Sequence, residues 1–371
     1  MTPASLAASV RVPLAEFDLH EWHNDHEGSA GKAIGGSGMP RADLTPFLPK
    51  TSQGLNRLWT TTPNDAIADV KAQLRTAYGF KPDEVLLTEG ASEADFVTVL
   101  ALAGPGAHVI VEQPAYFALL EPARSLGCRV TRIRRQPQND FALDPDEVLR
   151  AITPGTRLIC LARPNNPTGE RIADEHLRAI AEAAARVDAY VLVDEVFAEA
   201  TKEGDRPARR LHDRILSVNS LTKTLGFGPL HLGWVSGPPE VIENIHRAKA
   251  HTRPLNPILS LTLAARILRK RKSILAKTRQ RRHENYQTVR RFLQARPGLE
   301  WHPHGHGTTT VFRLPKGRDD VTFATGLVQE ENVLVTPASY TELPGWIRLG
   351  LMAEPATLRN GLQGLGRKLD K

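Results

Sequence analysis

Three short stretches carry residue types that could do chemistry together. In Ser220-Leu-Thr-Lys223-Thr-Leu-Gly226 a lysine sits between small hydroxyl residues, just after the apolar run Ile215–Val218. A lysine partly withdrawn from water can shed its proton and attack a carbonyl, whereas most lysines are solvated charges on flexible stems. In Val191-Leu-Val-Asp194-Glu195 a carboxylate ends an apolar run. Buried there, it needs a cationic partner or several donors, and beside a pyridine-type nitrogen it favours the protonated ring. Asn166, in Pro164-Asn-Asn-Pro-Thr-Gly169, has an amide that can donate to a ring oxygen. Taken alone, that stretch is an Asn-Pro turn.

Weaker candidates surround these. Gly90-Ala91-Ser92 follows an apolar strand over Val85–Thr88 and precedes a helix from Glu93 to Leu102. Free backbone N–H groups at such a helix start make a phosphate cradle, and an ordinary N-cap by Ser92 explains the pattern equally well. Tyr116 could stack on a ring or serve as a core aromatic. Gly35-Gly36-Ser-Gly38-Met-Pro40 is a turn or a loop that lets backbone approach a ligand. It is not a dinucleotide fingerprint, because the third glycine is missing, and Gly31-Lys32 is not a P-loop, because His26 and Ala33 occupy the required glycine and hydroxyl positions. His302, His304 and His306 alternate as metal ligands on a strand could, but Pro303, Gly305 and Gly307 favour a loop, and no metal is expected.

The elements that must position these residues follow from hydrophobic periodicity. Ile67, Val70, Leu74 and Ala77 mark a helix from Asn64 to Tyr78-Gly79, and Leu177, Ile180, Ala181 and Ala184 mark another from Asp174 to Arg186. Apolar runs at 85–87, 108–111, 157–161, 190–193, 215–218 and 234–236 alternate with helical segments. That alternation indicates a mostly parallel sheet covered on both faces, with ligands bound beyond the carboxyl ends of its strands. A long helical region from Pro257 to Arg296, in two pieces, leads to strands at 309–314, 332–335 and 346–349 and a final helix from Pro355. This α+β composition implies a smaller second domain. Residues 1–50 show little periodicity.

With 371 residues the chain can bury a large core. The net charge of +7 fits scattered surface basic residues as well as an anionic ligand. The dense run Arg269–Lys272, with Lys277, Arg279, Arg281 and Arg282, reads as a solvated helix face, with no interleaved aromatics for nucleic acid. Two distant cysteines, Cys128 and Cys160, exclude a disulfide framework and suggest a reducing, cytoplasmic setting. No signal peptide or membrane span is expected.

Together the motifs around Asn166, Asp194 and Lys223 resemble the fold-type I pyridoxal 5'-phosphate enzymes, specifically the class I/II aminotransferases. The closest local likeness is to the histidinol-phosphate aminotransferase and threonine-phosphate decarboxylase branch. The resemblance runs from about Asn64 to the C-terminus. It implies an α/β fold, a mostly parallel sheet of the seven-stranded type sandwiched by helices, with a smaller α+β domain. The implied division is an N-terminal segment, 1–48, joining the small domain, a large cofactor-binding domain, 49–255, and an interdomain helix with the small domain, 256–371.

By position, the resemblance implies that Lys223 carries the cofactor as a Schiff base and shuttles the catalytic proton. Asp194 would pair with the ring nitrogen, Asn166 would bond the ring hydroxyl, and Tyr116 would stack on the ring. Gly90, Ala91, Ser92 and Ser220 would hold the phosphate. Arg348, in Trp346-Ile-Arg-Leu-Gly350, would fork onto the substrate carboxylate beside Gly36 and Gly38. Two positions depart from the family pattern. Phe197 stands where a tyrosine normally donates to the ring oxygen, which predicts a raised Schiff-base pKa and a slower or altered half-reaction. His231 stands where an arginine normally grips the phosphate, which predicts weaker cofactor retention as pH rises.

The implied activity is a homodimeric aminotransferase acting on an amino acid and a 2-oxo acid, with active sites shared across the dimer. His251-Thr-Arg253 and Leu58-Trp59-Thr60 are candidate contributors to that interface. A decarboxylase, lyase or cyclase with the same cofactor is the alternative, favoured by Phe197 and His231. A ligand-sensing domain on the same scaffold is a third reading, opposed by the intact lysine.

Overall fold

The structure is a computed structural model that describes residues 15–27 and 30–371. Its first strand, β1 (Lys32–Ala33), lies outside the main sheet. The main sheet is built from β2 (Val85–Glu89), β3 (His108–Gln113), β4 (Arg129–Arg134), β5 (Thr156–Ala162), β6 (Tyr190–Asp194), β7 (Ile215–Ser220) and β8 (Leu232–Ser236). Its order is β2-β8-β7-β6-β5-β3-β4, and only β8 runs against its neighbours. The expected mostly parallel, seven-stranded sheet is therefore present. Its central strands are buried except at Arg157 and Tyr190 near their starts, as a sheet covered on both faces requires.

Two apolar cores flank this sheet. One joins Val97, Val111, Leu158 and Leu192 to the helix Pro239–Lys249. The other joins Ile159, Val191 and Val193 to Leu177, Ile180 and Ala184 of the helix Asp174–Ala185. A third core packs Val70 and Leu74, from the helix Pro63–Tyr78, on Leu87, Trp234 and the helix Ile258–Arg269. Register sets the functional edge. Asp194 pairs with Ala162 and Val218, and Ser220 pairs with Gly233, so the polar residues gather at one end of the sheet.

The remaining strands are β9 (Thr309–Arg313), β10 (Val333–Leu334), β11 (Thr336–Pro337) and β12 (Trp346–Gly350). They form an antiparallel sheet, β11-β12-β9, and β10 pairs in parallel with β1. A core of Ile34, Phe312, Leu327, Ile347, Leu349 and Leu362 fills the space behind them. The two pieces expected between 257 and 296 are the helices Ile258–Arg269 and Arg271–Gln294.

Three local expectations need correction. β4 escaped notice because its sequence, RVTRIR, carries arginines at an exposed sheet edge and shows no continuous apolar run. The N-terminal segment contains a helix, Asp18–Glu27, whose Leu19 and Trp22 are buried; Trp22 Nε1 donates to the Val335 carbonyl at 3.2 Å. The basic run is not simply a solvated face. Arg271 is buried in an ion pair with Glu199 under the hydroxyl of Tyr78, and Arg282 Nε donates to the Gly307 carbonyl at 3.1 Å. A charge so placed must be paired, and Arg271 is. Among the described residues no helix is long and apolar enough to cross a membrane.

Candidate active site

A cavity of about 920 Å³ opens beyond the carboxyl ends of β5, β6 and β7. Every residue singled out above as a catalytic, cofactor or substrate candidate lines it. Lys223 sits in the turn after β7. Its carbonyl accepts from Met39 N–H at 2.8 Å, and Gly226, at φ +81°, turns the chain so that its own carbonyl accepts from Ala42 N–H at 2.9 Å. The next residue, Thr224, is tied to the helix Arg271–Gln294 by Thr278 Oγ1 at 2.8 Å. Lys223 Nζ donates to Ser37 Oγ at 3.2 Å. Burial, reinforced by Arg348 and opposed by Asp194, lowers its ammonium to about 8.

Asp194 ends β6 with its Oδ1 accepting from Val196 N–H at 2.9 Å. Burial raises it to about 6, against the pull of that N–H and of Lys223. Asn166 lies in a turn that Asn165 builds: Asn165 Nδ2 donates to the Pro114 carbonyl at 3.0 Å, and its Oδ1 accepts from Thr168 Oγ1 at 2.9 Å. Asn166 Oδ1 accepts from Arg348 Nη1 at 3.1 Å, which leaves the amide NH₂ to donate. Arg348, on β12, also donates to the Gly35 carbonyl through Nε and Nη2 at 3.3 and 3.1 Å. Burial pulls its guanidinium down to about 10, still a cation at neutral pH.

The helix Gly90–Leu102 begins at Gly90, earlier than the sequence suggested, so Ser92 lies inside its first turn and is not its N-cap. Gly90 has φ +73°, and a methyl group there would meet nothing within 4 Å. Gly233 lies directly behind, where an added Cβ would fall 2.4 Å from the Gly90 carbonyl carbon. Tyr116 meets Phe17 edge-on at 5.6 Å. Burial raises its phenol, and a hydrogen bond from Ser92 works the other way. Ser220 is buried, with its Oγ accepting from Thr222 N–H at 3.3 Å. Phe197 is buried and brings no donor; His231 is exposed at the rim, with φ +46°. Gly36 faces open space, and a Cβ on Gly38 would press on Lys223.

Several lining residues escaped the sequence. His23, on the helix Asp18–Glu27, meets Thr336 Oγ1 at 3.3 Å, and burial with Arg348 and Lys223 nearby lowers it to about 4. Asp95 and Ser37 were also missed. The spacing of Leu19, Trp22 and His23 on one helical face was the available signal for the first. Of the interface candidates, Arg253 Nη1 pairs with Glu89 at the cavity rim at 2.9 Å, and Trp59 is 67% exposed. His302 lies between Asp140 and Glu300, at 2.6 and 3.3 Å.

A buried amine of lowered basicity, a facing buried carboxylate and an open helix start define an enzyme of carbonyl chemistry built on a parallel α/β sheet. The family model for class I and II aminotransferases matches residues 50–365. Aspartate/prephenate aminotransferase from Thermus thermophilus is 28% identical over 313 residues, covering 83% of this chain and 80% of that one. A pyridoxal-phosphate-dependent aminotransferase structure from Streptococcus suis superposes with a TM-score of 0.87 at 27% identity, over 97% of this chain and 98% of that one. The structure of a pyridoxal-phosphate-dependent cyclase, OrfR, gives a TM-score of 0.83 at 25% identity, over 98% and 99%. The chain belongs to the class I and II aminotransferases, and its cofactor is pyridoxal 5'-phosphate. The histidinol-phosphate branch is one of several among its relatives.

The residues present fit that cofactor. The Lys223 amine is available for an aldehyde, Asp194 faces the cavity without a cation bonded to it, and a Cβ on Gly90 would meet no other atom within 4 Å.

Proposed function

We propose that this cavity transfers an amino group from an amino acid to a 2-oxo acid, with Lys223 as its central residue. The convergence of Lys223, Asp194 and Arg348 on one cavity is the observation that carries this reading. Bound there, pyridoxal phosphate supplies an electron sink for the bonds at the substrate Cα. Lys223 is the amine to which the cofactor attaches and the base that moves a proton at that Cα. Asp194 would hold the ring nitrogen protonated, Asn166 would donate to the ring hydroxyl through Nδ2, and Tyr116 would cover the ring. The N–H groups of Gly90, Ala91 and Ser92, with the Ser220 hydroxyl, cradle the phosphate, and His231 reaches it from the rim. Arg348 grips the substrate carboxylate beside Gly36 and Gly38. Borohydride reduction followed by peptide mapping tests the assignment: the cofactor's mass on Lys223 is expected, and an unmodified Lys223 overturns it.

A cyclase, lyase or decarboxylase is the second reading. It is supported by Phe197, which removes a ring-oxygen donor, and by likeness to a known cyclase. If the cavity transaminates, an amino acid should change the visible absorbance of the cofactor-loaded protein and a 2-oxo acid should restore it. A cofactor that stays in the aldehyde form while substrate is consumed supports the second reading.

The reading extends to a homodimer. Among the described residues, the exposed large apolar side chains are Leu48, Leu55, Trp59, Leu255 and Leu259, on two neighbouring parts of the surface that a second copy would cover. The division at 48/49 and 255/256 and a cytoplasmic setting, consistent with the free thiols of Cys128 and Cys160, belong to the same proposal.

A further inference from the structure

One carboxylate in the cavity wall has no part in the chemistry described so far. Asp95 lies in the second turn of the helix Gly90–Leu102, between Ala94 and Val97 of the apolar core, and is 1% exposed. It nevertheless lines the cofactor cavity. Neither of its carboxylate oxygens has a hydrogen-bond partner in the protein. Every other acid at this end of the sheet is provided for: Glu112 binds Arg135 and the Ala162 N–H, Asp194 accepts from Val196, and Glu195 accepts from Ala208.

Two aspects of this arrangement bear on its charge. An ionised carboxylate without donors is among the most expensive groups to bury. The field around Asp95 makes ionisation worse, because its electrostatic neighbour is Asp194, and two nearby buried carboxylates do not both ionise readily. Tyr116 and the Cys160 thiol also sense Asp95, and neither brings a positive charge. The nearby cation, Lys223, acts on Asp194, as does the anion Glu112. Burial first, and Asp194 second, push the Asp95 carboxyl well above the ordinary carboxylate range.

We propose that Asp95 is a second acid of the cofactor cavity, a neutral carboxylic acid that keeps one proton for the Asp95–Asp194 pair and presents its O–H to the bound cofactor. The inference rests on the reading of the cavity as a pyridoxal-phosphate site and adds a positioning residue to it. With the proton on Asp95, Asp194 remains the anion of the pair. The pair then offers one negative charge and one hydrogen-bond donor. A carboxylic acid held neutral by an apolar setting is a competent donor at neutral pH.

The test uses the intact holoenzyme, after borohydride mapping has established the cofactor on Lys223, so that failure of the cofactor reading is seen first. The infrared carbonyl stretch of a protonated carboxylic acid is followed with pH in the wild type, Asp95→Asn and Asp194→Asn. The wild type is expected to keep this band well above the ordinary carboxylate range. Asp95→Asn loses it. In Asp194→Asn it disappears at a lower pH, since the repelling charge is gone. A band shift on cofactor release reports the O–H contact. Stability supplies a second measurement. An acid whose folded pKa is raised costs stability as pH rises from the ordinary carboxylate range toward its folded value. Asp95→Asn should therefore flatten that part of the wild-type profile, which a merely space-filling role would leave unchanged. Absence of a protonated-acid band in the wild type at neutral pH overturns the proposal even if the variants do not fold. So does a band indifferent to both Asp95→Asn and cofactor release.

Discussion

Lys223 owes its reactivity to its surroundings. Burial and Arg348 bring its ammonium to about 8, while Asp194 prevents a larger fall. The neutral amine is the form that captures an aldehyde, so it accumulates as pH rises. Cofactor uptake by the apoenzyme is expected to quicken roughly tenfold per pH unit below about 8 and to level off above it, as stopped-flow absorbance can record. A rate independent of pH between 6 and 9 would contradict this. Arg348 tests the substrate end. Its Nη1 is held by Asn166 and its Nη2 by Gly35, a forked geometry that an ammonium cannot copy. Arg348→Lys should raise KM for amino donors about 10- to 100-fold, the loss of a charged hydrogen bond worth about 1.5–3 kcal/mol. Cofactor content, read by absorbance, should stay near that of the wild type.

At the scale of elements, the site depends on close backbone approaches. Gly233 on β8 lets the start of the helix Gly90–Leu102 rest against the sheet; a Cβ there would lie 2.6 Å from the Gly90 carbonyl oxygen. Gly233→Ala is predicted to push the phosphate cradle outward, at a cost of about 1–3 kcal/mol, and to weaken cofactor affinity as measured by equilibrium dialysis. Affinity equal to that of the wild type would show that the cradle lies elsewhere. Such contacts explain what the sequence made legible. Asp194, Ser220 and Lys223 sit at or just past the ends of apolar strands, so local pattern located them. Gly233 and Asp95 matter through neighbours far away in the chain, and no local pattern marks them. Asp95 in particular reads as one more polar residue in a helix until the helix is laid on the sheet. β4 was hidden for a different reason, because an edge strand can expose its arginines.

For the whole molecule, the exposed Trp59 and Leu255 are the side chains most in need of a partner. An aromatic anchor at the centre of an interface typically contributes about 2 kcal/mol or more, and in a twofold assembly it counts twice. Trp59→Asp is expected to convert the proposed dimer to a monomer in sedimentation and to lower activity with it. An unchanged sedimentation coefficient would remove Trp59 from the interface. The pairing of β1 with β10 has a further consequence. Lys32 and Ala33 take Val333 and Leu334 as strand partners, and Ile34 N–H donates to the Leu334 carbonyl at 2.8 Å. Ser37, the neighbour of the Lys223 amine, follows directly on this stitch. A ribosome must therefore make Val333 and Leu334, far along the chain, before Lys32 and Ala33 can find their seat, and a nascent chain halted before Val333 should emerge unable to hold its coenzyme lysine in position.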